Sequence, residues 1–396
     1  MIALLFGTYN SRHAANALLA GDLRAAGVTV RACHEPLWEE TRDKTAPYFA
    51  PAGLARLALR YAGAARRLAR RLPTDAASAS LLVVGFNGQL DVLLARFVER
   101  ARPILFAPLV TVTETLVDDR ETYGEGSIAA KLLATLDRAT LRAADVVLID
   151  TAAHREYLIE RLGVAPDKVV VQYLGAETPF AEEGARRAAV AAASGEATAT
   201  EPGRMHVLGY SQYLPLHGNE TIALAARLVP PDCGITLELV GTGSERARSD
   251  AFVKRLPHVR TTDWVPYDEL PGRIAAADVV LGVFGKSVKA RMVIPNKIWQ
   301  AAAVGSAIVT ADTPAIREAF VDGESICLVE PTPRALADAL LALARDPGRR
   351  ARLARGAREA FLRTASDEVR AARLRDVLAS PLLAARRAAL PQGAAA

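Results

Sequence analysis

Three cations and a helix start lie close together in residues 281–318. Val279 to Val283 is a short apolar run that reads as a strand, Phe284-Gly285 is a turn, and Lys286, Lys289 and Arg291 follow before Pro295. From Pro295 onward Ile298, Ala301 and Ala302 recur at helical spacing, and Gly305 ends the helix before the strand Ala307-Ile308-Val309-Thr310. The order is therefore strand, basic loop, helix, strand. In an open α/β sheet, ligands collect beyond the carboxyl ends of strands, and fixed cations beside free N–H groups at a helix start suit a phosphate. A second loaded stretch, TVTETLVDDR, places Glu114, Asp118, Asp119 and Arg120 just past a strand expected over Pro103 to Leu109. Either stretch can also be read as a solvated loop, with an aspartate capping a helix in the second.

The run P-N-K-I-W-Q-A-A-A-V-G-S-A-I-V-T, residues 295–310, resembles the donor-site segment of family 4 glycosyltransferases. In that family a lysine and, three residues on, usually a glutamate open a helix that ends in Ala-x-Gly. Here Lys297 and Gln300 take those places, so the acid is an amide. The resemblance runs along nearly the whole chain and is most specific between Gly241 and Gly323. It implies a GT-B fold, α/β with two Rossmann-like doubly wound domains facing across a cleft, the nucleotide sugar on the second and the acceptor on the first.

The resemblance also implies site residues. Gly7 and Thr8 match the glycine turn that opens the first domain, and His13, just inside the following helix, is within reach of a ligand there. Glu114, Asp119 and Arg120 correspond to the acidic and Asp-Arg group of the first domain and are expected to be catalytic, while Ala107 stands where relatives often carry an aspartate. His217, before Gly218, replaces the customary lysine, and the Gln212 region replaces an arginine. Gly243 lies in the glycine turn Gly241-Thr242-Gly243, Val265 falls where the family's backbone reads the base, and Lys286, Lys289, Asn296, Lys297, Gln300 and Glu318 complete the expected donor site. Gln300 is expected to accept hydrogen bonds from donor hydroxyls through its amide oxygen.

The implied activity moves a sugar from a nucleoside-diphosphate sugar to an acceptor hydroxyl, with retention, in glycan, glycolipid or glycosylated metabolite synthesis. No Asp-x-Asp pair and no histidine cluster is present, so no metal and no cofactor is expected; cations and helix dipoles are left to stabilise the departing phosphate. Gln300, His217 and Ala107 keep open a catalytically inactive nucleotide-sugar-binding protein. A nucleotide-sugar epimerase of the same architecture is the other alternative.

The elements that must position these groups alternate strand and helix from Ile2 onward. At 396 residues, 51% hydrophobic and 23% charged, the chain is globular and long enough for two domains. The expected division is an acceptor domain over residues 1–180, a linker or insertion over 181–204 rich in Ala, Gly, Ser and Thr, and a donor domain over 205–368. A helix at about 369–382 is available to pack back onto the first domain. Cys33, Cys233 and Cys327 lie far apart, which fits a reducing compartment, and no apolar run is long enough to span a membrane. The chain is read as cytoplasmic. A net charge of +5 and a basic amphipathic helix over Leu54 to Leu72 open peripheral contact with the inner face of the cell membrane and a lipid-linked acceptor. An ordinary packed helix with a solvated basic face is the competing reading. Nucleic acid is not an expected partner.

Overall fold

The computed structural model describes residues 1–39, 51–120, 122–194 and 204–390. It divides into two compact units: unit 1 holds Met1–Val117, Glu121–Tyr173 and Asp367–Ala396, and unit 2 holds Asp118–Arg120 and Leu174–Ser366.

Unit 1 is built on parallel strands β1 (Ile2–Gly7), β2 (Thr29–His34), β3 (Leu81–Val84), β4 (Ile104–Phe106), β5 (Val146–Ile149) and β6 (Val169–Val171), in the order β2-β1-β3-β4-β5-β6. Side chains alternate across a strand, so consecutive residues serve opposite faces. Leu4 and Phe6 of β1 join Leu68, Leu72, Val92, Leu141 and Leu158 from helices on one face. Ala3 and Leu5 join Leu19, Leu23, Leu374, Val377 and Leu378 on the other. Burying each large apolar side chain is worth roughly 1.5–3 kcal/mol, which explains why strands of only three or four residues suffice. The helix Asp367–Leu378 is fastened to the helix Ala14–Ala25 by buried Arg370, which pairs with Asp22 at 3.0 Å.

Unit 2 repeats the plan with β7 (Met205–Tyr210), β8 (Ile235–Val240), β9 (Val259–Thr262), β10 (Val279–Leu281), β11 (Ala307–Ala311) and β12 (Cys327–Val329). Their order, β12-β11-β10-β7-β8-β9, reverses between β7 and β10. That reversal opens a crevice beyond the carboxyl ends of those two strands, the usual ligand position in a doubly wound sheet.

Three sequence expectations change. Residues 181–194, the larger part of the expected linker, belong to the helix Thr178–Ser194, which packs on the helices Asn296–Val304 and Leu270–Ala276 and buries Phe180 completely. Alanine is the strongest helix former, and this run has too few glycines to stay irregular. The rest of the expected linker, residues 195–203, lies outside the described residues. The stretch Asp263–Pro271 around Val265, which the resemblance aligns with a strand whose backbone reads the base, is not a strand; the strand is β9, which ends at Thr262, and Tyr267–Glu269 is a single 3₁₀ turn. Finally, the basic loop after β10 contains the helix Val288–Met292, because Ser287 Oγ caps it by accepting from the Ala290 N–H at 3.2 Å.

Candidate functional site

The crevice of unit 2 is bounded by two loops that hold each other. After β7 the chain passes through Ser211 to the turn Pro215–His217, and after β10 it passes through Phe284-Gly285. The Phe284 N–H donates to the His217 carbonyl at 3.0 Å and the Gly285 N–H to the Leu216 carbonyl at 3.1 Å. Gly218 makes this closure sterically feasible: its φ is +63°, and a Cβ would lie 2.3 Å from the Phe284 carbonyl carbon. Gly243 also packs on backbone, that of Gln212, so the glycine turn expected to admit a nucleotide closes instead on the chain itself.

Lys297 stands in the first turn of the helix Asn296–Val304, whose ends match the sequence: Pro295 precedes it and Gly305 closes it at φ +79°. The side chain is buried, with Nζ 5.6 Å from the Tyr210 ring centroid. Burial alone pushes its amine down to about 7. His217 is half-buried beside it, and its Nδ1 accepts from the Leu214 N–H at 3.2 Å, which leaves the neutral ring's proton on Nε2. Burial, then the charges of Lys297 and Lys289, hold this imidazole well below its ordinary pKa. Lys289, buried on the short helix, therefore joins Lys297 and His217, whereas Lys286 and Arg291 are exposed. Lys297 also lines a small cavity with Tyr210, Ser211, Asn219 and Ser249. There Asn219 Nδ2 and Ser249 Oγ have no hydrogen-bond partner among the described residues. The arrangement concentrates donors and positive potential with no carboxylate among these lining groups, which suits a phosphate.

Gln300 has a different setting from the one its motif suggests. It is 3% exposed; its Oε1 accepts from Tyr210 Oη at 2.9 Å, and its Nε2 donates to Tyr267 Oη at 2.7 Å and to Glu177 Oε2 at 3.1 Å. Asn296 Nδ2 donates to both Glu177 oxygens at 3.3 Å, and Tyr267 Oη donates to Glu177 as well. A carboxylate is thus present at this helix start, carried by residue 177 rather than residue 300. Val265 is buried near this cluster in sequence, and Glu318 is half-buried at the end of the helix Pro314–Arg317.

In unit 1 the expected catalytic carboxylate Glu114 is fully buried. Its Oε2 meets His154 Nε2 at 2.9 Å and accepts from the Thr111 N–H at 3.1 Å, while His154 Nδ1 meets Asp150 at 2.7 Å. Burial pulls this imidazole's pKa down, but the two carboxylates override it and raise it to about 10. Glu114 is accordingly the partner of a buried imidazolium rather than a solvent-facing group on a loop, and the residues Glu114–Asp119 form one π-helical turn. Asp119 and Arg120 group with unit 2, where Ser287 Oγ donates to Asp119 Oδ1 at 2.8 Å.

The Gly7-Thr8 turn is also occupied from within. The Thr8 N–H and Oγ donate to Asp91 Oδ2 at 2.7 and 3.0 Å, Tyr61 Oη donates to Oδ1 at 3.1 Å, and a Cβ on Gly7 would lie 2.4 Å from Oδ2. Burial raises this carboxyl to about 6 against the opposing hydrogen bonds from Thr8. His13 caps the following helix, with Nδ1 accepting from the Ala15 N–H at 3.3 Å, and packs on Phe86. Sequence reasoning missed Asp91, His154 and Glu177. The Asp150 to His154 spacing of four residues at a helix start was readable; the other two pairings join distant segments and leave no local signal.

Residues 222–376 match the family model described as glycosyl transferase-like. Among solved structures, sucrose-phosphate synthase from Thermosynechococcus elongatus superposes with a TM-score of 0.71 at 16% identity, over 97% of this chain and 99% of that one. HepE from Anabaena, in complex with UDP, gives 0.65 at 16% identity over 96% and 99%. The fold is GT-B. An E. coli trehalose-6-phosphate structure bound with UDP-2-fluoro glucose gives 0.67 at 12% identity over 96% and 98%, and extends the GT-B likeness to nearly the full length of both chains. No curated protein sequence matches this one. Among the described residues no helix is long and apolar enough to cross a membrane.

Proposed function

We propose that this chain is a glycosyltransferase of the family 4 type, transferring a sugar with retention from a nucleoside-diphosphate sugar held on unit 2 to an acceptor hydroxyl. The observation that carries the reading is Lys297: a buried amine at a helix start, beside Lys289 and a neutral His217, at the switch point of a sheet whose segment matches a glycosyl transferase-like family. A buried cation without a counterion costs folding energy, and an anionic ligand is what would recover it. The charge that develops on the departing diphosphate falls to Lys297, Lys289, the Nε2 proton of His217 and the N–H groups of Asn296 and Lys297, which are fixed before reaction and need no reorientation. The neighbouring Glu177, Asn296, Gln300 and Tyr267 supply both donors and acceptors for neutral hydroxyls of the donor. Neighbouring GT-B structures bound to UDP and a UDP sugar support the nucleotide class.

The test is thermal stabilisation of the purified chain by a panel of nucleoside diphosphates and nucleotide sugars, followed by nucleoside diphosphate release with and without candidate acceptors. A ligand at a hundredfold excess over Kd should add about 2.7 kcal/mol. Stabilisation by no nucleotide refutes the reading. Binding without release in any acceptor mixture leaves the non-catalytic alternative, and conversion of the donor alone identifies an epimerase.

A further inference from the structure

We propose that the outer face of one helical layer of unit 1 docks on an anionic lipid bilayer. The helices Pro51–Asp75, Gln89–Val98 and Ile128–Ala143 lie on one face of the unit 1 sheet, the middle one packed against both others. Their inward sides, including Leu68, Leu72, Val92 and Leu141, are in the core. Their outward sides are not polar in the ordinary way. Leu59 is 76% exposed, Phe97 74%, Ile128 79% and Leu132 65%. Isolated exposed apolar residues mean little, but Leu59, Ile128 and Leu132 lie towards the same ends of their helices, while Phe97 lies at the far end of its own.

The charge on the same layer selects the partner. Arg56, Arg60, Arg66 and Arg70 are exposed along the first helix and have no ion-pair partner among the described residues, in contrast to Arg67 and Arg71, which pair with Glu35. The three helices carry only three acids: Asp75 pairs with Arg71, and Asp91 and Asp137 are buried and bonded internally. These three helices therefore present apolar side chains among guanidinium groups and no exposed carboxylate, and the exposed acids of the layer are confined to its fourth helix, Ala152–Leu162, where Glu156 and Glu160 are exposed. Protein interfaces are depleted in unpaired charge, whereas a headgroup region takes apolar side chains and supplies anions for each arginine. In a parallel sheet each of these helices begins at the carboxyl ends of the strands. Leu59, Ile128 and Leu132 all lie in the first halves of their helices, so the apolar edge is on the same side of the sheet as the turns Gly7-Thr8 and Gly85-Gly88. Lipid contact there would bring a membrane surface next to the loops of unit 1.

The experiment is co-sedimentation of the full chain with neutral phosphatidylcholine vesicles and with vesicles containing phosphatidylglycerol, at low and high salt. Two combined variants are compared with the parent: Arg56, Arg60, Arg66 and Arg70 each replaced by Gln, and Ile128→Ser with Leu132→Ser. Binding to anionic vesicles that falls at least about tenfold when the four arginines are removed is expected, since each contributes about fivefold near a charged surface. The apolar variant should also bind more weakly, at low salt as well as high. Both variants alter exposed positions, and nucleotide-induced thermal stabilisation reports that they fold. Equal binding to neutral and anionic vesicles, or undiminished binding by the apolar variant, overturns the proposal. So does a parent dimer that Ile128→Ser with Leu132→Ser converts to monomer without any lipid binding, because a second copy would then cover the face.

Discussion

Lys297 should make donor binding proton-linked. Its amine is held at about 7 by burial alone, against 10.5 in water, so keeping it charged in the empty site costs on the order of 5 kcal/mol. At pH 8 about nine-tenths of the molecules carry it neutral, and a diphosphate in contact with it restores the ordinary, protonated form. Binding at pH 8 should therefore take up close to one proton, about 0.9, falling to roughly half at pH 7 and about a tenth at pH 6. Affinity should decline about tenfold per pH unit between roughly pH 7.5 and 9.5. Calorimetric titration with a nucleotide sugar in buffers of different ionisation enthalpy reads the uptake directly. Because the folded pKa is depressed, the unfolded chain binds the extra proton between about pH 7 and 10.5, and this residue's cost to stability is largest below that window and fades through it. Lys297→Met should then leave the empty protein as stable or more stable, most visibly at acid pH, weaken nucleotide binding ten- to a hundredfold, and abolish the uptake. Equal heats in all buffers at pH 8, or full uptake persisting in Lys297→Met, would refute the reasoning.

Gln300→Glu should place a second carboxylate within hydrogen-bonding distance of Glu177, destabilising the protein by about 1–3 kcal/mol at pH 7 and recovering on acidification; pairing it with Glu177→Gln should restore stability, as denaturant melts at pH 5 and 7 would show. His154 is held charged between Glu114 and Asp150, so its contribution is complete below about pH 6.5 and lost as pH rises through about 10. His154→Gln should cost about 3–5 kcal/mol at pH 7 and remove the alkaline fall in stability seen in the parent. Gly218→Ala, forced against the Phe284 backbone at a positive φ, should cost about 2–4 kcal/mol and abolish nucleotide stabilisation, measured by thermal melts with and without ligand.

The alternation of strand and helix was legible because buried parallel strands read as short apolar runs, and Leu81–Val84 is such a run, buried at every residue. The helix Asn296–Val304 was equally plain, since Pro295 and Gly305 punctuate it. Sequence reasoning handled the site less well where a side chain's partner lies far along the chain. Glu114 reads as a loop acid in TVTETLVDDR, and only the 40-residue closure onto His154 turns it inward. Gln300 reads as a lost acid until Glu177, 123 residues away, supplies one. The residues 181–194 misled for another reason: an alanine-rich composition is shared by linkers and by close-packed helices, and only burial tells them apart.

The Asp91 carboxylate gives the two halves of the chain opposite characters. Both sheets end in a glycine turn with amide hydrogens pointing outward from a strand, and either could in principle receive an anion. In unit 1 that place is taken: the Thr8 amide and hydroxyl already bind a carboxylate of the chain itself, so an entering phosphate would have to displace one negative group and then lie beside it. In unit 2 the corresponding crevice holds Lys289, Lys297 and a neutral His217. Two sheets of the same plan thereby differ in the sign of the charge at their glycine turns, a carboxylate in unit 1 and amines in unit 2.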